Sequence, residues 1–208
     1  MRRFGLWVVT ILALAIALYA VVYVVVGERM FPPQLADSFR ARPWGIYPHA
    51  FFGAIALALG TVQFRRRLIV SRPKVHRVIG TIYIASAALT GLAGLYMSFY
   101  AFGGIVTGLG FAFLAMLLLT TTGIAYARIK RGDVVKHREW MIRSYALIFA
   151  AVTLRIELPI LIGLFGAFRP AYTMVAWLCW MPNLLWATLY IRYSRVRETP
   201  LVRALRPG

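Results

Sequence analysis

Two side chains that hydrocarbon solvates badly, Arg155 and Glu157, sit inside the apolar part of HREWMIRSYALIFAAVTLRIELP, residues 137–159. Arg143 precedes Arg155 by twelve residues, so on an α-helix Arg155 lies about 18 Å and Glu157 about 21 Å beyond it. A guanidinium at that depth holds an anionic group, and a carboxylate takes up and releases a proton. Either ion costs about 2.5–3.5 kcal/mol at the centre of a bilayer on insertion scales, so each requires partners from protein. Positions two apart diverge by about 200° around a regular helix, and these two charges cannot pair with each other. Candidate partners at similar depth in other apolar runs are His49, Tyr96, Tyr100 and Asn183. The sequence thus predicts a ligand-binding site of Arg155, Glu157, His49, Asn183 and Tyr96 in one half of the membrane, for a small molecule, cofactor or ion. Pro159 removes the hydrogen bond to the carbonyl of Arg155 and is expected to bend the helix there. A purely structural alternative is a buried ion-pair network that pins helix packing.

A second constellation lies at the opposite depth. Basic stretches lead to His76-Arg77 and to His137-Arg138, each at the start of an apolar run, and the two flanking hairpins resemble a short parallel repeat. Imidazoles on facing helices ligate one haem b iron, and Arg77, Arg138 or Arg143 would then pair with the propionates, giving a haem or quinone-linked redox protein. The competing expectation places both His-Arg pairs at the interface, against anionic lipid headgroups. Two haems with bis-histidine ligation need four histidines, and the chain has three. Hydrolytic and nucleotide chemistry lack their parts: no HExxH, GxSxG or glycine-rich phosphate loop occurs. Cys179 is the single cysteine, which excludes an internal disulfide and a CxxC motif. No reaction is assigned by these residues, and a scaffold or assembly role stands beside ligand binding.

The elements that position these groups are apolar runs near residues 4–26, 45–64, 77–101, 104–127, 141–166 and 171–191. Each suffices to cross roughly 30 Å of hydrocarbon as a helix. The chain is 61% hydrophobic, with a mean hydropathy of +0.73. Strands are excluded by the lack of alternation and by the cost of an open sheet edge in lipid. The run 4–26 exceeds the apolar stretch of about 7–15 residues in a secretory signal and is expected to stay as the first helix. A net charge of +18 suggests nucleic acid at first sight, but the basic residues fall in short segments between apolar runs. Nineteen of the 24 lie before the first run, from Arg65 to Arg77, from Arg128 to Arg143, or after the sixth run. By the positive-inside rule both termini are cytoplasmic in a bacterial inner membrane. Residues 27–44, with three prolines, form the sizeable external connection, either a cover for the outer mouth or a linker. Gly91, Gly94, Gly104 and Gly108 are expected at close helix contacts.

His49, Gln63, HRVIGTIY (residues 76–83) and HREWMIRSYALIFAAVTLR (residues 137–155) together resemble a bacterial family of multi-pass membrane proteins catalogued as a domain of unknown function. The stretch H-R-x-W-M-x-R-S-Y-A with T-L-R beyond it carries most of the likeness, which covers helices 2 to 5 and leaves out helices 1 and 6 and the outer connection. The resemblance implies that both His-Arg motifs and Arg155 belong to one pattern, and it implies no activity. The expected fold is one all-α membrane domain over residues 1–208, a bundle of six transmembrane helices with its core in helices 2 to 5.

Overall fold

A computed structural model describes the backbone of residues 2–64 and 71–204, and side chains over 5–64 and 71–195. Arg65, Arg66 and Arg67, and the side chains of Arg2, Arg3, Arg197, Arg203 and Arg206, which carry part of the charge asymmetry, lie outside the described residues. The described chain is helical with no strands, and six helical stretches are long and apolar enough to cross a membrane. They are α1 (Arg2–Val26), α3 (Pro43–Gln63), α4 (Pro73–Ser98) and α5 (Ile105–Lys130), then two divided spans. The fifth consists of α6 (Val134–Ile148) and α7 (Ala150–Phe165), and the sixth of α8 (Phe168–Leu178) and α9 (Met181–Ala204).

Local chemistry sets the helix ends. Pro43 and Pro73 open α3 and α4, where the missing N–H costs nothing. The Asp133 carboxylate accepts from the Lys136 amide at 3.1 Å and caps α6. Gly104 does not serve helix contact as the sequence suggested: it stands at φ +89° before α5, with nothing near the place a side chain would take. Close approaches do occur at the other three expected glycines, Gly91, Gly94 and Gly108, and also at Gly60, which the sequence does not single out. A Cβ at Gly108 would stand 2.8 Å from the Ser98 carbonyl, and one at Gly60 would run into the Tyr145 ring.

Pro159 lies inside α7 with helix on both sides, and the fifth span also divides ten residues earlier, at Phe149. At Phe149 the ladder tightens to a Val152 N–H bond to the Phe149 carbonyl at 2.9 Å. The Thr153 hydroxyl crowds that carbonyl at 3.2 Å while donating to the Cys179 carbonyl at 2.6 Å. The sixth span divides just before Pro182, which cannot donate to Leu178. The Cys179 carbonyl takes its hydrogen bonds from the side chains of Thr153 and Asn183, the latter at 2.9 Å.

The packing reaches beyond the four central helices that the sequence pointed to. Ala13, Ala17 and Ala20 bury one face of α1 along α3, and Val175, Cys179 and Trp180 bring the sixth span into the same core. Small residues allow this close approach, which supplies the dispersion contact that lipid itself does not drive. Large apolar side chains such as Leu6, Leu18, Ile160 and Leu164 point outward, as a lipid-facing surface requires. Mid-bundle, the Tyr83 hydroxyl lies 2.9 Å from Ser144 Oγ, and Thr122 Oγ1 lies 2.8 Å from the same oxygen, joining α4, α5 and α6.

The connection from Gly27 to Arg42 is folded. It forms a 3-10 turn and the short helix α2 (Ala36–Arg40), with Phe31 packed among Tyr23, Phe39 and Tyr47. Arg40 holds it to Glu28 at 3.1 Å and Asp37 at 3.2 Å.

Candidate functional site

A cavity of about 370 Å³ opens in the half of the bundle away from the basic connections, within the common size range of ligand pockets. Helical spacing places its walls. Ile16, Tyr19, Ala20 and Tyr23 follow one face of α1, and Ala151, Leu154, Arg155 and Leu158 follow one face of α7, both in an i, i+3, i+4, i+7 pattern. α3 supplies His49, α4 supplies Thr90 and Ser98, and Tyr172 comes from α8. Leu35, Ser38 and Phe39 of the folded connection line the end towards Tyr100. There Arg42 stacks 3.8 Å from the Tyr100 ring centroid and donates to the Ser38 carbonyl at 3.2 Å. The connection therefore covers one mouth of the cavity.

Arg155 is the cationic group of this cavity. Its Nη1 donates to the Ala151 carbonyl at 2.8 Å, and its guanidinium sits 5.2 Å from the centroid of the Tyr19 ring. Among the described residues no carboxylate pairs with it. The ring face offers a guanidinium about 0.5–2 kcal/mol, which leaves most of its five donors without a strong acceptor.

His49 stands across the cavity, near enough to Arg155 for the two to interact electrostatically. Its Nδ1 lies 3.0 Å from the Thr90 carbonyl, and the Thr90 hydroxyl donates back to the His49 carbonyl at 2.7 Å. A carbonyl only accepts, so in the neutral ring Nδ1 carries the proton and Nε2 keeps a lone pair. Gly94 makes room for this ring: a Cβ there would stand 3.1 Å from the imidazole. His49 remains accessible although it lies well inside the bundle, because it faces the cavity.

The other expected members lie elsewhere. Glu157 projects away from the cavity lining, as its offset of two residues from Arg155 demands, and its Oε2 is buried without a hydrogen-bond partner. Asn183 joins Thr153 at 3.0 Å and the Cys179 carbonyl at the break in the sixth span. Tyr96 is half exposed, with its ring against Tyr100 at 5.4 Å, and stays outside the lining. Sequence reasoning missed Tyr19, Tyr23 and Thr90. The signal for the tyrosines is their i, i+4 spacing within the first apolar run, which lies outside the expected core of helices 2 to 5.

At the basic end, His76 and His137 lie close enough to interact electrostatically. His137 Nδ1 lies 2.8 Å from the Ala125 carbonyl, whereas His76 Nδ1 and Gln63 Nε2 are buried without partners. Arg77 and Arg138 are exposed. Arg143 stacks 4.8 Å from the Trp140 ring centroid, and Glu139 accepts from Nε and Nη2 of Arg195. Among the described residues no group of three or more histidine, cysteine or acidic side chains is placed to hold a metal ion.

Comparison with curated proteins and with solved structures gives no match. A family profile matches from Ile46 in α3 to Ile191 in α9, so it includes the sixth span, which the resemblance read from the sequence had left out. Both cavity groups, His49 and Arg155, fall within the matched segment, whereas α1 and its tyrosines precede it. The chain belongs to the family described as predicted membrane protein (DUF2306) through residues 46–191.

Proposed function

We propose that this membrane protein binds a small, mostly apolar molecule with an anionic head group in the cavity between Arg155 and His49. The observation that supports this reading is a guanidinium facing an apolar, aromatic-walled cavity with no carboxylate among the described residues to neutralise it. An anion there gains a charge-assisted hydrogen bond where water competes poorly. Nε2 of His49 accepts a hydrogen bond from a ligand O–H, so the pair suits a weak acid in either protonation state. In the bilayer, the basic connections face the cytoplasm of a bacterial inner membrane and meet anionic lipid headgroups, with both termini on that side.

The test is equilibrium binding to purified protein in nanodiscs, using a panel of apolar carboxylates and their neutral amides. Carboxylates should bind at least about tenfold more tightly than the amides, and Arg155→Gln should abolish that preference. Equal affinity for both members of each pair would overturn the reading.

The pairing of His76 with His137 favours a second reading, a haem-b or quinone-linked redox protein. A backbone carbonyl bound to Nδ1, as at His137, orients an imidazole so that Nε2 can ligate a metal. Oxidised and reduced visible spectra decide: a Soret band lost on His137→Ala supports it, and a colourless protein reconstituted with haem without spectral change removes the haem form.

A further inference from the structure

We infer that the cavity takes its ligand sideways from the bilayer, through the seam between α1 and α7, and that the ligand is a single-chain carboxylate amphiphile such as a long-chain fatty acid. This rests on the reading that Arg155 and the cavity form an anion-binding site. The argument begins with the walls. α1 packs along α3 and touches α7 only briefly. At that seam a single aromatic ring, Tyr19, stands over the Arg155 guanidinium. Tyr19 leaves 41% of its surface accessible, and its chain neighbours Leu18 and Val22 lie on the outward surface of α1. Among the described residues Arg155 is the cavity's one strong cation, and the Tyr19 side chain stands between it and the outward surface of α1.

The mouth near Tyr100 is built differently. There α2 closes over the cavity, with Ser38 Oγ 3.3 Å from the Tyr100 carbonyl and Arg42 stacked on the Tyr100 ring. A ligand arriving from water would have to displace that cover and give up its hydration as well. A ligand already dissolved in lipid meets only the seam.

Chemistry and size then select the occupant. A carboxylate accepts two parallel N–H bonds from a guanidinium, and its protonated form donates its O–H to Nε2 of His49. The apolar surroundings of both groups suit a hydrocarbon chain, whose remainder stays between α1 and α7. A cavity of about 370 Å³ suits one compact head and the start of one chain, whereas a phospholipid brings a larger head and a second chain to the same narrow seam.

The test uses the full chain in phospholipid nanodiscs with a diazirine-bearing fatty acid, its methyl ester, and butyrate as a water-soluble anion. Cross-links mapped by mass spectrometry should concentrate on residues 16–23 and 151–158. They should exceed those on the outward face of α9 at Trp186 by about tenfold and fall about tenfold with the uncharged ester. The ester comparison needs no mutation, so it stands even where Arg155→Gln fails to fold. Arg155→Lys should keep part of the labelling. Labelling that is uniform over the lipid-facing surface and equal for acid and ester would overturn the inference. If butyrate binds in an Arg155-dependent way while the fatty acid labels only the surface, the anion site stands and the lateral route fails. If neither anion depends on Arg155, both fail.

Discussion

Glu139 and Arg155 sit sixteen residues apart on the fifth span, each an ion that hydrocarbon rejects, and the bundle treats them in opposite ways. Glu139 near the basic end receives both arms of Arg195 from α9, with Arg143 bonded to its backbone carbonyl at 3.4 Å. Arg155 in the other half donates to one backbone carbonyl, sits against an aromatic ring and lines the cavity, with no carboxylate partner among the described residues. A charge whose partner is built into the fold serves the fold. One left with an unfilled complement beside a cavity is an invitation to a ligand.

The largest effect that tests this contrast is on binding. Arg155→Gln is expected to weaken an apolar carboxylate by roughly 10- to 100-fold, because a hydrogen bond to a charged group contributes about 1.5–3 kcal/mol. Its melting temperature in detergent should stay level or rise, since an unneutralised buried cation is lost. Glu139→Gln should reverse the pattern, lowering the melting temperature while leaving carboxylate affinity intact. If both variants lose stability and neither loses binding, the two charges play the same structural part and the contrast disappears.

Gly94 sharpens the comparison from the His49 side. A methyl group there would crowd the imidazole at 3.1 Å, and the ring is also tied to the Thr90 carbonyl. Gly94→Ala should therefore tilt Nε2 away from the cavity and cost about 1–3 kcal/mol, the usual range for overpacking. The change should appear both as a lower melting temperature and as a several-fold loss of carboxylate affinity. An unchanged affinity would remove His49 from the site and leave Arg155 alone in it.

The contrast was only half legible in the sequence. The six spans were, because uninterrupted apolar runs of sufficient length have no other good solution in water or lipid. The depth of Arg155 was also legible, since helical rise converts residue number into distance. Its surroundings were not. Tyr19 reaches Arg155 from a span more than a hundred residues away, and no spacing rule connects them. The break at Phe149 escaped notice for a related reason. Pro159 announces a kink in any sequence, whereas the tight turn at Phe149 depends on Thr153 reaching the Cys179 carbonyl of another span. Gly104 misled because G-x-x-x-G has the same appearance at a helix contact and at a helix start.

A smaller effect concerns the hydroxyl network that separates the two ends. Ser144 Oγ lies within hydrogen-bond distance of both Tyr83 and Thr122, and all three side chains are buried. Ser144→Ala should cost about 0.6 kcal/mol, the average for interhelical hydrogen bonds in membrane bundles, and at most about 1.7 kcal/mol. Thermal unfolding in detergent checks it. Binding at Arg155 should be unaffected, which distinguishes glue between helices from a route that couples the two ends.

The smallest expected effect falls on Glu157, two residues beyond Arg155 on the fifth span. Its Oε2 is buried without a partner, and it lies outside the cavity lining. A carboxyl group so placed gains no ion pair from being ionised and pays the cost of leaving water. Glu157→Gln keeps the shape and leaves a polar group in the same place, so stability should move by less than in Ser144→Ala. Carboxylate binding at Arg155 should likewise stay within about twofold of the parent protein. A large loss of binding in this variant would mean that Glu157 communicates with the cavity through Thr153 or Asn183, and the ligand's proton would then have a second acceptor besides His49.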